Sequence, residues 1–384
     1  MKVYDSYRVP LKLWPSALEE GAMAQAEHLA SLPFAYKHVA LMPDAHQGYG
    51  MPIGGVLATK GVVIPNAVGV DIGCGMRAIC TSMHKDEWPS YRVHIMHELQ
   101  RSIPTGFRHH DRQQEGWLPE FTKLGDVTER EYEKSLKSIG TLGGGNHFIE
   151  VQHDEDGNVW FMVHSGSRNL GKQVCDHYGK RAKAMNARWH SDVCPGWDLA
   201  FLPLEDIEAK RYLTDMENCL TFAHENRRRM MKHIEGEVTV LGHKVEKFYD
   251  THHNFAAMEN HFGVNVMVHR KGAVRARKDE MVIIPGSMGT HSYIAKGLGS
   301  PDSFQSCSHG AGRCMGRMQA RRVIDPAALW RQMEDLGVAL YTKDFTGVVE
   351  EAPGAYKDID VVMSEQSDLV SIVTTLTPMA CIKA

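Results

Sequence analysis

Six glycine-rich turns, each carrying polar residues, constrain this chain more than any other feature: DAHQGYGMPIGG, DIGCGM, LGGGNHF, HSGSRNLG, PGSMGTHSY and SHGAGR. Glycine lets the backbone turn tightly and lets N–H groups approach a ligand closely. One such turn alone reads as a connector between strands. Six of them, nearly all bearing Asp, His, Ser or Asn, imply a frame built around an anionic ligand. None is a Walker A sequence or a dinucleotide fingerprint, so the binding mode is not a standard one.

Between these turns the pattern alternates irregularly. Ser16 to Leu32 reads as a surface helix, with Leu18, Met23, Ala26 and Leu29 near one stripe. His38 to Met42, Val56 to Ile64 and Met76 to Met83 read as strands. Asn146 to Gln152 and Val159 to His164 read as two more, joined by the hairpin-like turn HDEDGN. Leu170 to Trp189 and Leu204 to His233 predict helices, and strand runs return at 264–269, 274–276 and 281–284. Asp325 followed by Pro326 predicts a capped helix up to Leu336. Without a regular strand–helix–strand rhythm, the expected fold is α+β: one large domain over 1–384, with mixed or antiparallel sheets surrounded by helices. The charged segment 84–139 is expected to be a mostly helical embellishment.

Composition bounds the function. The chain has 384 residues, 43% hydrophobic and 23% charged, enough for a sizeable core. No apolar run is long enough to cross a membrane, and MKVYDSYRVPLKLWP lacks the apolar core of a signal peptide, so a cytoplasmic protein is expected. Eight scattered cysteines form no C-x-x-C pair, which argues against a disulfide framework. A net charge of −4 argues against a uniformly basic surface, but a local basic groove on an acidic body remains compatible with nucleic acid. The 22 histidines are the compositional oddity, since imidazole is the commonest metal ligand.

Asp71 and Cys74 flank Gly73 on one turn. A carboxylate and a thiolate so placed can ligate a divalent ion such as Zn or Mn; the alternative is a capping Asp and a buried Cys. His147 and His164 stand where a hairpin would bring them together, and His253 adds a third imidazole. One Asp, one Cys and three His suffice for two ions sharing a bridging ligand. In SHGAGR, His309 precedes Gly and Ala, which leaves its ring open to a large electrophile, while Arg313 and Arg317 offer planar forks for phosphate oxygens. The competing reading is a structural turn leading into a helix. A histidine nucleophile needs its other nitrogen oriented, and Asp44 is the candidate.

With these residues assembled, the chain closely resembles the RtcB family of GTP-dependent RNA ligases, from PDAHQGYG to the C-terminal IKA. The resemblance implies joining of RNA 3′-phosphate or 2′,3′-cyclic phosphate ends to 5′-hydroxyl ends, in tRNA splicing or RNA repair. It implies two manganese ions on Asp71, Cys74, His147, His164 and His253, with Cys74 bridging. His309 matches the histidine that takes GMP from GTP, and Asp44 the carboxylate that orients it. Arg313 and Arg317 match phosphate-binding arginines. Asn146, Phe148, Glu150, Ser287, Ser292, Ala311, Gly312 and Lys383 match guanine-nucleotide contacts. The partners implied are GTP and RNA, with room for an activating protein and no membrane. Ala384 departs from the family's common final glycine. The alternative within the same chemistry is a paralogue that caps 3′-phosphates with GMP or opens cyclic phosphates.

Overall fold

Runs of β-branched, aromatic and aliphatic residues between the glycine turns form the strands. The structure, a computed structural model, describes residues 1–119, 122–345 and 347–384; Glu120 and Phe121, within the segment 84–139, lie outside the described residues. The strands are β1 (Lys2–Tyr4), β2 (Leu11–Leu13), β3 (Ala35–Tyr49), β4 (Met51–Thr59), β5 (Val62–Val63), β6 (Gly75–His84), β7 (Phe148–His153), β8 (Asn158–Ser165) and β9 (Leu202–Pro203). There follow β10 (Val245–His252), β11 (Asn254–His261), β12 (Val264–Lys271), β13 (Ala273–Arg275), β14 (Met281–Ile284), β15 (Ser292–Gly297), β16 (Ser306–Ser308), β17 (Ala339–Tyr341) and β18 (Val370–Ile382). The helices are α1 (Glu20–Ala30), α2 (Trp88–Ser102), α3 (Asp126–Ser138), α4 (Asn169–Arg188), α5 (Ile207–Val240), α6 (Arg317–Val323), α7 (Pro326–Asp335) and α8 (Ile359–Ser364).

Two sheets carry the architecture. One has the order β1-β2-β3-β4-β12-β11; the other runs β10-β6-β8-β7-β18-β15-β14, with β17 beside β18. Among the described strands, β2–β3 and β17–β18 pair in parallel and the other pairs are antiparallel, so the sheets are mixed and mainly antiparallel, as expected for this α+β chain. The period-2 alternation of the larger sheet sorts its two faces. Ile79, Phe161 and Val163 pack against Met230, Met231 and Ile234 of α5 and Ile95 and Leu99 of α2. Their neighbours Ala78, Trp160 and Met162 face the other way, toward Leu329 and Met333 of α7.

Several boundaries differ from expectation for local reasons. The first helix begins at Glu20 rather than Ser16. β3 continues through Asp44 to Tyr49 because it pairs with β4 across register shifts, which absorb the irregular PDAHQG stretch. The expected strand 56–64 divides at Lys60 and Gly61 into β4 and β5. The capped helix is present as α7, with Asp325 accepting from the Ala327 N–H. Within 84–139, α2 and α3 are helical and the chain between them is irregular.

A buried carboxylate fastens three helices. Asp215 of α5 accepts from the N–H groups of Val127 and Thr128 at the start of α3, from the Thr128 hydroxyl at 2.7 Å and from the Tyr178 hydroxyl of α4 at 2.7 Å. It therefore caps α3 from another element. Asp215→Ala should leave these buried donors unpaired and cost about 3 kcal/mol in denaturant unfolding; a loss within ~0.5 kcal/mol would contradict this role.

Candidate active site

Antiparallel pairing gathers the site at one end of the larger sheet. His252 of β10 lies opposite Gly75 of β6, Gly75 opposite Ser165 of β8, and His164 opposite Phe148 of β7. Ile382 of β18 pairs with Ile149. Cys74, His147, His164, His253 and Lys383 all sit at or just beyond these strand ends. Gly73 makes the turn between Asp71 and Cys74 at φ +77°, where an added Cβ would stand 2.9 Å from the Ala223 side chain.

The sequence-predicted ligands converge. Cys74 Sγ lies 3.2 Å from His164 Nε2 and 3.5 Å from His147 Nε2, and His147 Nε2 lies 3.1 Å from Asp71 Oδ2. The Nδ1–H of His147 donates to the Leu142 carbonyl at 2.9 Å, and that of His164 to the Asn146 carbonyl at 3.0 Å. Both rings are thereby fixed with Nε2 aimed at the thiol, the second-sphere arrangement typical of metal-bound imidazoles. His253 completes the group, its ring 5.2 Å from that of His164, and its buried Nδ1 has no hydrogen-bond partner among the described residues. Burial, then the neighbouring Asp71, pushes the Cys74 thiol well up, while burial pulls His164 and His253 well down. A thiol, a carboxylate and neutral imidazoles with an orphaned nitrogen fit a divalent cation, whose charge would reverse the cost of ionising Cys74. A second grouping, His224, Asp250 and His252, is filled by cationic side chains: Asp250 is bound by Arg227 at 2.7 Å and approached by Arg77 at 3.4 Å.

Beside the cluster stands the histidine–carboxylate pair. His309 follows β16 and its ring lies 4.8 Å from that of His253. Its Nδ1 is 2.6 Å from Asp44 Oδ2, which also accepts from the His309 N–H at 3.0 Å. Burial alone would raise the Asp44 carboxyl, but His309, His46 and Lys357 outweigh it and hold the group below the usual range. With Nδ1–H donated to a carboxylate, Nε2 carries the free lone pair.

A cavity of about 140 Å³ opens beside His309. Of the predicted nucleotide contacts, Asn146, Phe148, Glu150, Ser287, Ala311, Gly312 and Lys383 line it. Ser292 does not. Its buried hydroxyl accepts from Gln152 Nε2 at 2.9 Å, and the same amide donates to Glu150 at 2.6 Å, so Ser292 braces Glu150 from behind. The two arginines also differ. Arg313 directs its fork to Glu351, Tyr356 and the Glu350 carbonyl. Arg317 is half exposed, 3.5 Å from Glu351, and leans over Gly145; both arginines line the cavity, but Arg317 is the less tied down.

Sequence reasoning missed Glu351, Tyr356, His46 and Arg227. Glu351 is buried among Arg313, Arg317 and Lys383, yet its segment VVEEAPG carries no histidine or polar glycine turn. Arg227 sits in the run NRRRMM, which reads as a solvated helix face. Its spacing from Ala223, Met230 and Ile234, all buried, was the available signal.

The sequence model of the tRNA-splicing ligase RtcB family matches residues 25–123 and 113–384. The chain is 36% identical to RNA-splicing ligase RtcB of Escherichia coli (strain K12), with 97% of each chain covered. It is 32% identical to tRNA-splicing ligase RtcB of Thermococcus kodakarensis over 95% of this chain and 91% of that one. Against RNA-splicing ligase RtcB of Mycobacterium bovis it is 32% identical over 94% and 100%. Fold and cavity define an α+β protein in which a sulfur–imidazole cluster adjoins an oriented histidine. At these identities and coverages, the chain belongs to the tRNA-splicing ligase RtcB family.

Two outcomes follow from the geometry. Arg227, without solvent contact, donates to the carbonyls of Gly73 and Ser165 and to Asp250. Arg227→Lys keeps the charge but loses the fork, and should weaken binding of an added divalent cation about tenfold in calorimetric titration; unchanged affinity would remove the clamp. Burial raises the Glu150 carboxyl from 4.5 to about 8, against the pull of Lys383. The folded protein then holds a proton that the unfolded chain releases above pH 4.5, so stability declines from there to about pH 8. Glu150→Gln should gain in Tm over the parent across that window and no further above it; a pH-independent difference would refute the raised value.

Proposed function

We propose that this chain is an RNA ligase that stores GMP on His309 and uses it to join a 3′-phosphate or 2′,3′-cyclic phosphate end to a 5′-hydroxyl end, in tRNA splicing or RNA repair. The observation that carries the reading is the 2.6 Å contact between Asp44 and His309 Nδ1, which leaves Nε2 as a nucleophile beside the cation-fitting cluster. Family membership supports the substrate class, because the relatives are named for RNA or tRNA splicing.

Asp71, Cys74, His147, His164 and His253 would hold two manganese ions, which supply charge neutralisation and Lewis acidity for phosphate chemistry when bound. The remaining work falls to the chain's own groups. Asp44 keeps His309 in the tautomer that presents Nε2 to the α-phosphorus of GTP, and it stabilises the positive charge that forms on the ring as pyrophosphate leaves. Glu150, Ser287 and Lys383 line the cavity that takes the guanine nucleotide, with Lys383 5.3 Å above the Phe148 ring. Arg317 reaches toward the phosphates. GMP passes from His309 to the RNA 3′-phosphate, and the 5′-hydroxyl then attacks that phosphorus and displaces GMP. The joined bond keeps the RNA's own phosphate.

Site residues range from Asp44 to Lys383, so the whole chain acts as one catalytic unit. All eight cysteines are free, which fits a reducing compartment such as the cytoplasm, and no described helix is long and apolar enough to cross a membrane.

Incubation with α-labelled GTP and Mn should label the protein with GMP in an acid-labile, alkali-stable linkage. His309→Ala should abolish the label. Labelling of that variant at the parent rate would place the nucleophile elsewhere, and failure to join 3′-phosphate to 5′-hydroxyl ends would leave a capping activity instead.

A further inference from the structure

The surface beside the metal-fitting cluster carries a feature the chemistry above does not use. Phe107 is fully exposed at 100%, above the next large apolar side chain, Val240 at 80%. Isolated exposed apolar residues are common and need no explanation. Position and neighbours set Phe107 apart. Thr105 forms a β-bridge with Gly143, the Gly106 N–H donates to the Gly143 carbonyl at 2.9 Å, and Arg168 donates to the Gly106 carbonyl at 2.8 Å. Gly143 opens the turn that carries Asn146 and His147. Gly106 also lies against Gly144 and against Ala384, next to Lys383. The aromatic ring is therefore presented from a tied-down loop at the rim of the candidate active site.

Charge follows the same rim. Phe107 is continued by Arg108, His109, His110, Asp111 and Arg112, on a molecule whose net charge is −4. Among the described residues, the Arg108 guanidinium bonds the Thr105 hydroxyl at 3.1 Å. Among the described residues, neither Arg108 nor Arg112 has a carboxylate partner; nor does Lys137, whose carbonyl accepts from the His110 N–H. An exposed aromatic face flanked by unpaired cations on an anchored loop is the chemistry of single-strand nucleic-acid binding. The ring stacks on a base and the guanidiniums hold the adjoining phosphates.

We propose that the loop 106–112 is the platform for unpaired nucleotides next to the reacting RNA end, with Phe107 stacked on a base and Arg108 and Arg112 on flanking phosphates. The proposal rests on the RNA-joining reading for its ligand. Sequence-independent stacking suits an enzyme whose chemistry concerns the phosphate and hydroxyl at an end rather than a base sequence.

The test is fluorescence anisotropy with the full chain and short labelled single-stranded RNAs, one ending in 3′-phosphate and one beginning with 5′-hydroxyl. No GTP is present. Phe107→Ala should weaken binding of at least one strand by roughly tenfold, and Phe107→Trp should retain it. With abasic nucleotides at the strand's end, the parent and Phe107→Ala should bind alike. Arg108→Ala and Arg112→Ala should each flatten the dependence of log affinity on log salt by roughly 0.7. The platform is overturned if Phe107→Ala binds both strands like the parent, or if its defect persists undiminished on abasic RNA. Because binding is read without ligation, a parent protein that binds RNA but fails to join ends would sink the joining reading and leave this result separately legible.

Discussion

Arg227 reaches from α5 into the end of the larger sheet with no exposed surface, and its guanidinium touches every segment that bears a candidate ligand except the His147 turn. It donates to Gly73, between Asp71 and Cys74, and to Ser165, next to His164. It pairs with Asp250 and contacts His252, next to His253. A buried guanidinium without partners would be prohibitively costly, so these carbonyls and the carboxylate are compelled to face it. Ligand geometry is thus a consequence of satisfying one cation. The β6–β8–β7 register does the rest, since a slip of one residue would turn His164 to the opposite face of the sheet.

The proposed nucleophile comes from a different part of the fold. His309 follows β16, and Asp44 lies in the irregular stretch of β3, in the smaller sheet. Lys357 donates to the carbonyls of Pro43 and Ala45 and so pins the backbone on both sides of Asp44. At Gly312, φ +74° brings the SHGAGR turn against the Asp44 backbone, where a side chain would collide. The pair and the cluster meet at the His253–His309 ring contact, where the two sheets' contributions become one site. A charge change at either centre is felt by the other through a low-dielectric gap.

Most of the candidate site was legible because metal and nucleophile chemistry would require rare residue types in stereotyped local contexts. Asp71 and Cys74 share one turn, His147 and His164 a hairpin, and resemblance supplied the remaining roles. The hairpin itself was readable from alternation and HDEDGN. What escaped notice has a common physical cause: residues that act by long-range pairing leave no local pattern. Glu351 is defined by Arg313, Arg317 and Lys383, and Arg227 by carbonyls more than sixty residues away. Ser292 shows the converse. Its context matched a ligand contact, but burial against Gln152 makes it a support for Glu150. In the fold, strands with clean alternation were found, whereas β10, β11 and β18, rich in charged or threonine residues, owe their state to pairing partners rather than to propensity.

Among the described residues, the site holds several buried groups that the fold alone leaves unsatisfied. Asp44 Oδ1 and His253 Nδ1 are buried without partners, the Cys74 thiol is held where its ionised form is disfavoured, and Glu150 sits as a buried acid. The unpaired atoms and the Glu150 carboxyl oppose folding of the bare chain, and the surrounding clamps must outweigh them. A cation at the cluster would complete His253 and offset the cost at Cys74, and a guanine base at Glu150 would meet a protonated carboxyl able to donate a hydrogen bond. These uncomfortable groups are therefore ones that such ligands would satisfy. Stability and occupancy are coupled by mass action, because a ligand that binds only the folded chain stabilises it. At the strand ends and the His309 turn these costs lie where the chemistry would occur, while the α5 clamp and the sheet cores hold the surrounding frame.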